Sequence, residues 1–176
     1  SDDIVKFGST VNGAGINLTI DSGTAATNFD GIVGGASGQG VGAIALTGAL
    51  DLDAAITDAE SISVSLASNL GANITTTGIQ SYGTSASGVF NVGTGTSALA
   101  TTDAVITFNG AVTGAGGDEN LTVNSGTART EFDGAVTLIE ILTVTASGGV
   151  TFDGVVNTVT SVVLTDTDNT DDIIFD

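Results

Sequence analysis

Apolar residues recur at alternate positions in short runs along this chain, and the runs are separated by Gly, Asn, Asp, Ser and Thr. Val5, Phe7 and Val11 share one parity, as do Leu18 and Ile20, and then Phe29 and Val33. A period of two among β-branched residues predicts short strands with one face turned to a core. From Ile44 the pattern weakens but persists, through Ile44, Leu46 and Leu50 and then Ile62, Val64 and Leu66. A strand pair spans 74–82, and another short strand covers 89–92 before the loop GTGTSALATTDA. Helix is disfavoured by the glycine and β-branched content, and only 52–59, LDAAITDA, has the composition of a helical turn.

The strands belong to a repeat. Residues 5–33, VKFGSTVNGAGINLTIDSGTAATNFDGIV, return as 106–136, ITFNGAVTGAGGDENLTVNSGTARTEFDGAV. Phe7, Val11 and Gly13 recur as Phe108, Val112 and Gly114 at an offset of 101 residues. After a two-residue insertion Ser22, Gly23, Thr24, Phe29 and Asp30 recur as Ser125, Gly126, Thr127, Phe132 and Asp133. Inside this lies a shorter unit, Phe followed by Asp/Asn-Gly with an apolar residue four positions after the Phe, as in ITFNGAV, TEFDGAV, VTFDGVV and TNFDGIV. Six of the seven phenylalanines occupy its aromatic place: Phe7, Phe29, Phe108, Phe132, Phe152 and Phe175. With equivalents at Leu46, Leu66 and Tyr82, the steps from Phe7 to Phe175 average about 21 residues, a solenoid spacing. The expected fold is therefore all-β: one domain over 1–176, a parallel β-helix of about eight coils with about 21 residues per coil. Coils spaced by one strand separation would make a rod roughly 40 Å long. The six rings are expected to form a single internal ladder, and each Asn/Asp-Gly a bend where Gly supplies positive φ. The competing all-β reading is an antiparallel sandwich with Asp-Gly hairpins, which gives no reason for a Phe every 21 residues.

Composition narrows the chemistry. The 176 residues are 41% hydrophobic and 12% charged, which argues against disorder despite 26 glycines. Pro, Cys, Met, Trp and His are absent, so disulfides, thiolate chemistry and the commonest general base and metal ligand are all missing. The net charge of −18, with Lys6 and Arg129 the only basic residues, excludes nucleic acid and anionic membrane surfaces as natural partners. No apolar run approaches the roughly 20 residues of a membrane-spanning helix, and the opening Ser1-Asp2-Asp3 has no signal-peptide character. A segment excised from a longer protein would look like this.

The F-[DN]-G-x-V units, the phrase NITTTGIQSY at 73–82 and the Gly/Thr/Ala/Asp-rich, cysteine-free composition resemble repeat regions of large secreted bacterial surface proteins. These are the filamentous-haemagglutinin-like adhesins and autotransporter passengers. The resemblance implies a right-handed, single-stranded β-helix and an extracellular or cell-surface location. Its motifs speak of fold more than of activity. The chain carries neither a recognisable secretion domain nor the calcium-binding nonapeptide of toxin-type β-rolls.

Two groups of residues stand out as candidate sites. Asp166, Asp168, Asp171 and Asp172 form the densest acidic stretch, and carboxylates at alternate loop positions suit Ca²⁺. The EF-hand spacing is missing, and a solvated acidic loop explains the same residues. Asn169 to Asp172 also resembles the Asn-Thr-Asp of β-helical polysaccharide hydrolases, but no His or basic residue lies nearby to hold a sugar chain. Thr-x-Thr pairs such as Thr75/Thr77 and Thr143/Thr145 do not recur once per coil, so β-propensity explains them better than an ice-binding lattice. The second group is a subunit junction: Asp2, Asp3 and Ile4 at one end, Ile173, Ile174 and Phe175 at the other. There DDIIF restates DDIVKF with one residue fewer, and neither end has a polar cap.

The sequence thus points to a non-enzymatic structural protein, a stiff building block of a bacterial adhesin, fibre or matrix. Its expected partners are identical copies stacked head to tail, or neighbouring repeats of a longer chain. No cofactor is required, and Ca²⁺ is the ion that would relieve carboxylate repulsion at such a junction. A calcium- or glycan-binding adhesin module is the alternative, and a β-helical polysaccharide-active enzyme the more distant one.

Overall fold

The computed structural model describes residues 2–35, 38–84, 88–158, 160–166 and 172–176, with Ala146, Ser147 and Asp166 described by their backbone only. The described residues form strands and connecting turns without a helix, so 52–59 ends one strand and begins another. All pairings are parallel, and the chain winds as a β-solenoid of about seven turns with roughly 22 residues per turn. Each turn has three faces, visited in the order A, C, B.

Face A stacks Val5–Phe7, 27–29, 50–52, Ser68–Leu70, Phe90–Val92, Val112–Thr113, Val136–Thr137 and Val156–Asn157. Face B stacks 18–21, 44–47, 62–64, Gln80–Tyr82, Ile106–Phe108, Thr130–Phe132, Val150–Phe152 and Ile173–Phe175. Face C begins as single bridges through Val11, Val33 and Ile56, and broadens through Ile74–Thr76 to Gly95–Ala100, Glu119–Asn124, Ile141–Ser147 and Ser161–Asp166. Because side chains alternate across each strand, every face contributes an inward column and an outward one.

The inward columns make one continuous apolar core. On face B the column runs Ile20, Leu46, Val64, Tyr82, Phe108, Phe132, Phe152 and Phe175. Its last four rings stack nearly parallel, with centroids 4.8, 4.8 and 5.0 Å apart and planes within 10°. That separation is the strand spacing itself, so identical residues in register must place ring over ring.

The six phenylalanines do not share one ladder. Phe7 and Phe29 stack on each other at 5.1 Å on face A, in a column continued by Leu52, Leu70 and Val92. Phe108, Phe132, Phe152 and Phe175 lie on face B. Counting from Phe29 to Leu46 as one coil was the source of the expected eight, because Leu46 follows Phe29 by two faces rather than three. Leu66 is no ring equivalent either, since Val64 holds that place. Phe90, outside the repeated unit, points inward from face A and packs edge-on against Tyr82 and Phe108 of the face B column at 4.7 and 4.9 Å.

The glycine after each Phe-Asp/Asn has a steric and not a torsional reason. Gly31, Gly110, Gly134 and Gly154 all lack positive φ. A Cβ on Gly134 would lie 2.5 Å from the carbonyl carbon of Gly110, and one on Gly154 2.6 Å from that of Gly134. Gly110 sits equally close on Gly88, and Gly31 on Ser9. Successive turns touch backbone to backbone at these corners, and a side chain there would force them apart.

Candidate functional site

The corner that precedes an inward strand is built twice from the same residues. Ser22 and Ser125 are buried and donate through Oγ to the carbonyls of Ala25 and Ala128, at 2.9 and 2.7 Å. Gly23 and Gly126 take φ of 62° and 64°, and their amides donate to the side chains of Asp21 and Asn124. This leaves the next amide, of Thr24 or Thr127, pointing towards the preceding turn. A carboxylate of that turn accepts from it: Asp2 Oδ1 from Thr24 N at 3.3 Å, and Asp103 Oδ1 from Thr127 N at 2.9 Å. Asp103 is held at φ 52°, a conformation unusual for a residue with a side chain. The pair was readable in advance, since Asp2 and Asp103 each lie five positions before a repeated Phe.

Polar groups also line the core. Gln80 is fully buried on face B, where its amide nitrogen donates to the Ala100 carbonyl at 2.8 Å and to Thr76 Oγ1 at 3.2 Å. Its carbonyl oxygen accepts from the Tyr82 hydroxyl at 2.9 Å. Burial raises the Tyr82 pKa well above its ordinary value, so the phenol stays a donor. The network pins the register of Gln80–Tyr82 against its neighbours and faces no cleft.

Acidic side chains gather at two corners. Near the start of the stack Lys6 Nζ pairs with Asp30 Oδ2 at 2.7 Å, which raises the lysine pKa. Asp51 is raised chiefly by burial, then by Asp53 and Asp30, and it accepts from the Asn28 amide at 3.0 Å. Near the other end Asn109, Asp133, Asp153 and Asp176 follow one another at the same corner, each amide donating to the carbonyl of an aromatic residue one turn back. Asp133 is raised chiefly by burial, then by Asp153 and Glu131.

Asp168 and Asp171 of the acidic stretch fall outside the described residues, and of Asp166 only the backbone is described. Asp172 is exposed, and its carbonyl accepts from Val150 N at 3.2 Å. Among the described residues no three carboxylates converge as metal ligands would. The residues expected at a subunit junction lie at the two ends of the stack: Ile4 is 65% exposed and Phe175 62%, and Val5–Phe7 and Ile173–Phe175 each pair with a strand on one side. A shallow open groove of about 370 Å³ lies between the loops around Gly15 and Gly40, with Asp58 and Glu60 at its rim. Its lining of glycine, alanine and valine with Thr77 and the two carboxylates brings no activated nucleophile beside a base.

No protein-family model matches the chain, and neither does any curated protein or solved structure. Geometry alone therefore bears on function. It offers a continuous core, three pleated faces and acidic corners.

Proposed function

We propose that the chain is a mechanical element, a non-enzymatic β-solenoid that supplies stiffness and length to a secreted bacterial adhesin, fibre or matrix. The observation that carries this reading is the unbroken stack of parallel pairings on face B from Ile20 to Phe175, with its inward column buried as far as Phe152. A core that is continuous along one axis resists bending, because each turn is bonded to its neighbours over three faces. The extracellular setting rests on the resemblance of the F-[DN]-G-x-V units to secreted surface repeats and on a composition with no cysteine and only two basic residues.

In this reading the terminal turns meet those of further copies, by strand pairing and by ring stacking onto the half-exposed Phe175. The carboxylates of Asp2, Asp3 and Asp172 lie near such a joint, where Ca²⁺ would relieve their repulsion. Electron microscopy of the purified chain, with Ca²⁺ and then with chelator, tests the proposal. Straight particles about 35 Å long, or multiples of that length, are expected. Compact or flexible particles would refute it, and lengths unaltered by Ca²⁺ would remove the ion from the joint.

A further inference from the structure

The later strands of face C form a wide uncharged area. Its four long strands pair without a break from Gly95–Ala100 through Glu119–Asn124 to 141–145, and on to 161–164. Their inward residues, among them Leu99, Leu121, Val123, Leu142 and Val144, are buried. The outward residues between 96 and 100, 120 and 124, 141 and 145, and 161 and 163 include no charged side chain. Ala98, Thr122, Thr143 and Val163 form the central outward column. The side chains lie on a ladder in continuous register from 96–100 to 161–164, with a register shift between Val144 and Ser147 at its edge. Val163 is 46% exposed on it, and Leu138, 48% exposed, borders it.

Face A carries Lys6 and Asp51 in its outward column and face B Glu131, and the uncharged run of face A from Asn69 to Asn157 is one residue wide where face C presents two or three per strand. On a chain of net charge −18 a copy can approach closely only where carboxylates are absent. We propose that face C is the lateral contact between two copies of this chain, packed sheet on sheet. Six residues along four strands cover roughly 20 by 19 Å, about 400 Å² per copy. That is about half of what a stable pair needs, so single chains would associate weakly. In rods of stacked copies, as in the preceding section, the contacts would add along the length and bundle the rods. The pairing itself does not need that stacking. Asp118, Glu140 and Asp103 rim the face, so association should strengthen with salt as their repulsion is screened.

Amide chemical shifts followed between about 20 µM and about 2 mM test the contact, a range set by the weak affinity expected of so small an area. Movement of Ala98, Thr122, Thr143 and Val163, larger at high salt, is expected. Movement confined to Val5, Phe7 and Phe175 would support end-to-end stacking and overturn the lateral contact, and no movement would overturn both. Thr143→Asp should weaken association about tenfold or more through like charges brought face to face, whereas Thr107→Asp on face B should change it less than about twofold. A mixture of Thr143→Asp with Thr143→Lys should pair more tightly than either alone; equal behaviour of all three samples with intact, dispersed spectra would refute the assignment.

Discussion

The two copies of the internal repeat share their sequence but not their place. In 5–33 the chain passes from face A through C and B back to A and C, with Phe7 and Phe29 on face A. In 106–136 the same residues run from B through A and C to B and A, with Phe108 and Phe132 on face B. From Phe7 to Phe108 the chain completes four turns and two further faces. The repeat is therefore rotated by one face between its copies, and what it encodes is a corner rather than a coil. An inward ring, a turn residue, a glycine pressed on the turn below and a branched residue starting the next face make a unit that serves at two different corners of the solenoid.

If the corner is the unit, its glycine should be the least replaceable residue in both copies. Gly110→Val places a branched side chain against the Gly88 backbone, and Gly31→Val does the same against Ser9. Each should cost about 4 kcal/mol or more and prevent folding of the adjacent turns. Gly8, which holds the place of Asn109 in the first copy, has open space around it, and Gly8→Ala should stay within about 0.5 kcal/mol. Chemical denaturation of the three variants checks the order. Equal tolerance at Gly110 and Gly8 would contradict backbone contact at the corner.

The rings sharpen the comparison, because the copies sit at different depths in the stack. Phe132 is 1% exposed and sandwiched between Phe108 and Phe152, whereas Phe7 is half-buried with Phe29 on one side only. Phe132→Ala should cost about 3–5 kcal/mol, and Phe7→Ala roughly half as much. Similar losses at both positions would mean that the burial of the first turn differs from that seen here.

The carboxylate that caps the Ser-Gly-Thr corner is a third shared device of unequal strength. Asp103→Ala removes the 2.9 Å acceptor of Thr127 N and should cost about 1 kcal/mol, while Asp2→Ala, with a contact of 3.3 Å at an exposed end, should cost a few tenths. Asp103→Asn keeps an acceptor oxygen and should recover most of the loss. Thermal unfolding of the three proteins measures this directly.

These particulars show what the sequence made legible. Strand parity, the solenoid spacing and the inward placement of the repeated Phe could be read because side-chain alternation and ring size leave few alternatives. The phase could not, since a corner unit looks the same on whichever face it falls, and the rings were assigned to one column. Glycine was misread for a related reason: lack of space between turns is a property of stacking and leaves no local signature, whereas positive φ does. Of the candidate sites, the aromatic rings and terminal residues stand at definite places in the stack, while the acidic loop falls largely outside the described residues. The neutrality of face C needed register to be seen, because its outward residues come from four separate strands.

The smallest expected effect concerns the acidic corner of the second copy, where the sequence itself supplies the control. Asn109 occupies the place below Asp133; its backbone amide donates to Tyr82 O at 2.9 Å, and its side-chain Nδ2 donates to Tyr82 O at 3.0 Å and Ser81 Oγ at 3.2 Å. Asp133 has the same backbone bond, to Phe108 O, but its carboxylate meets Asp153 and Glu131. Burial first, and those two charges second, hold its pKa above the ordinary aspartate value. Between its unfolded and folded values the native state binds more protons than the unfolded chain, so this group makes the fold more stable as pH falls through that window. Asp51, also raised, acts in the same direction. Glu119 acts oppositely: the amide of Gly117, donating at 2.7 Å, lowers its pKa, so its contribution persists above the unfolded value and is lost as pH falls through the folded one. Stability should therefore rise slightly on mild acidification before it falls in stronger acid. Asp133→Asn should raise stability at neutral pH by no more than about 1 kcal/mol, the range of exposed charge pairs, and should flatten the acid-side rise. If the rise survives unchanged in that variant, the repulsion lies elsewhere, with the Asp51, Asp53 and Asp30 group of the first copy as the next to neutralise.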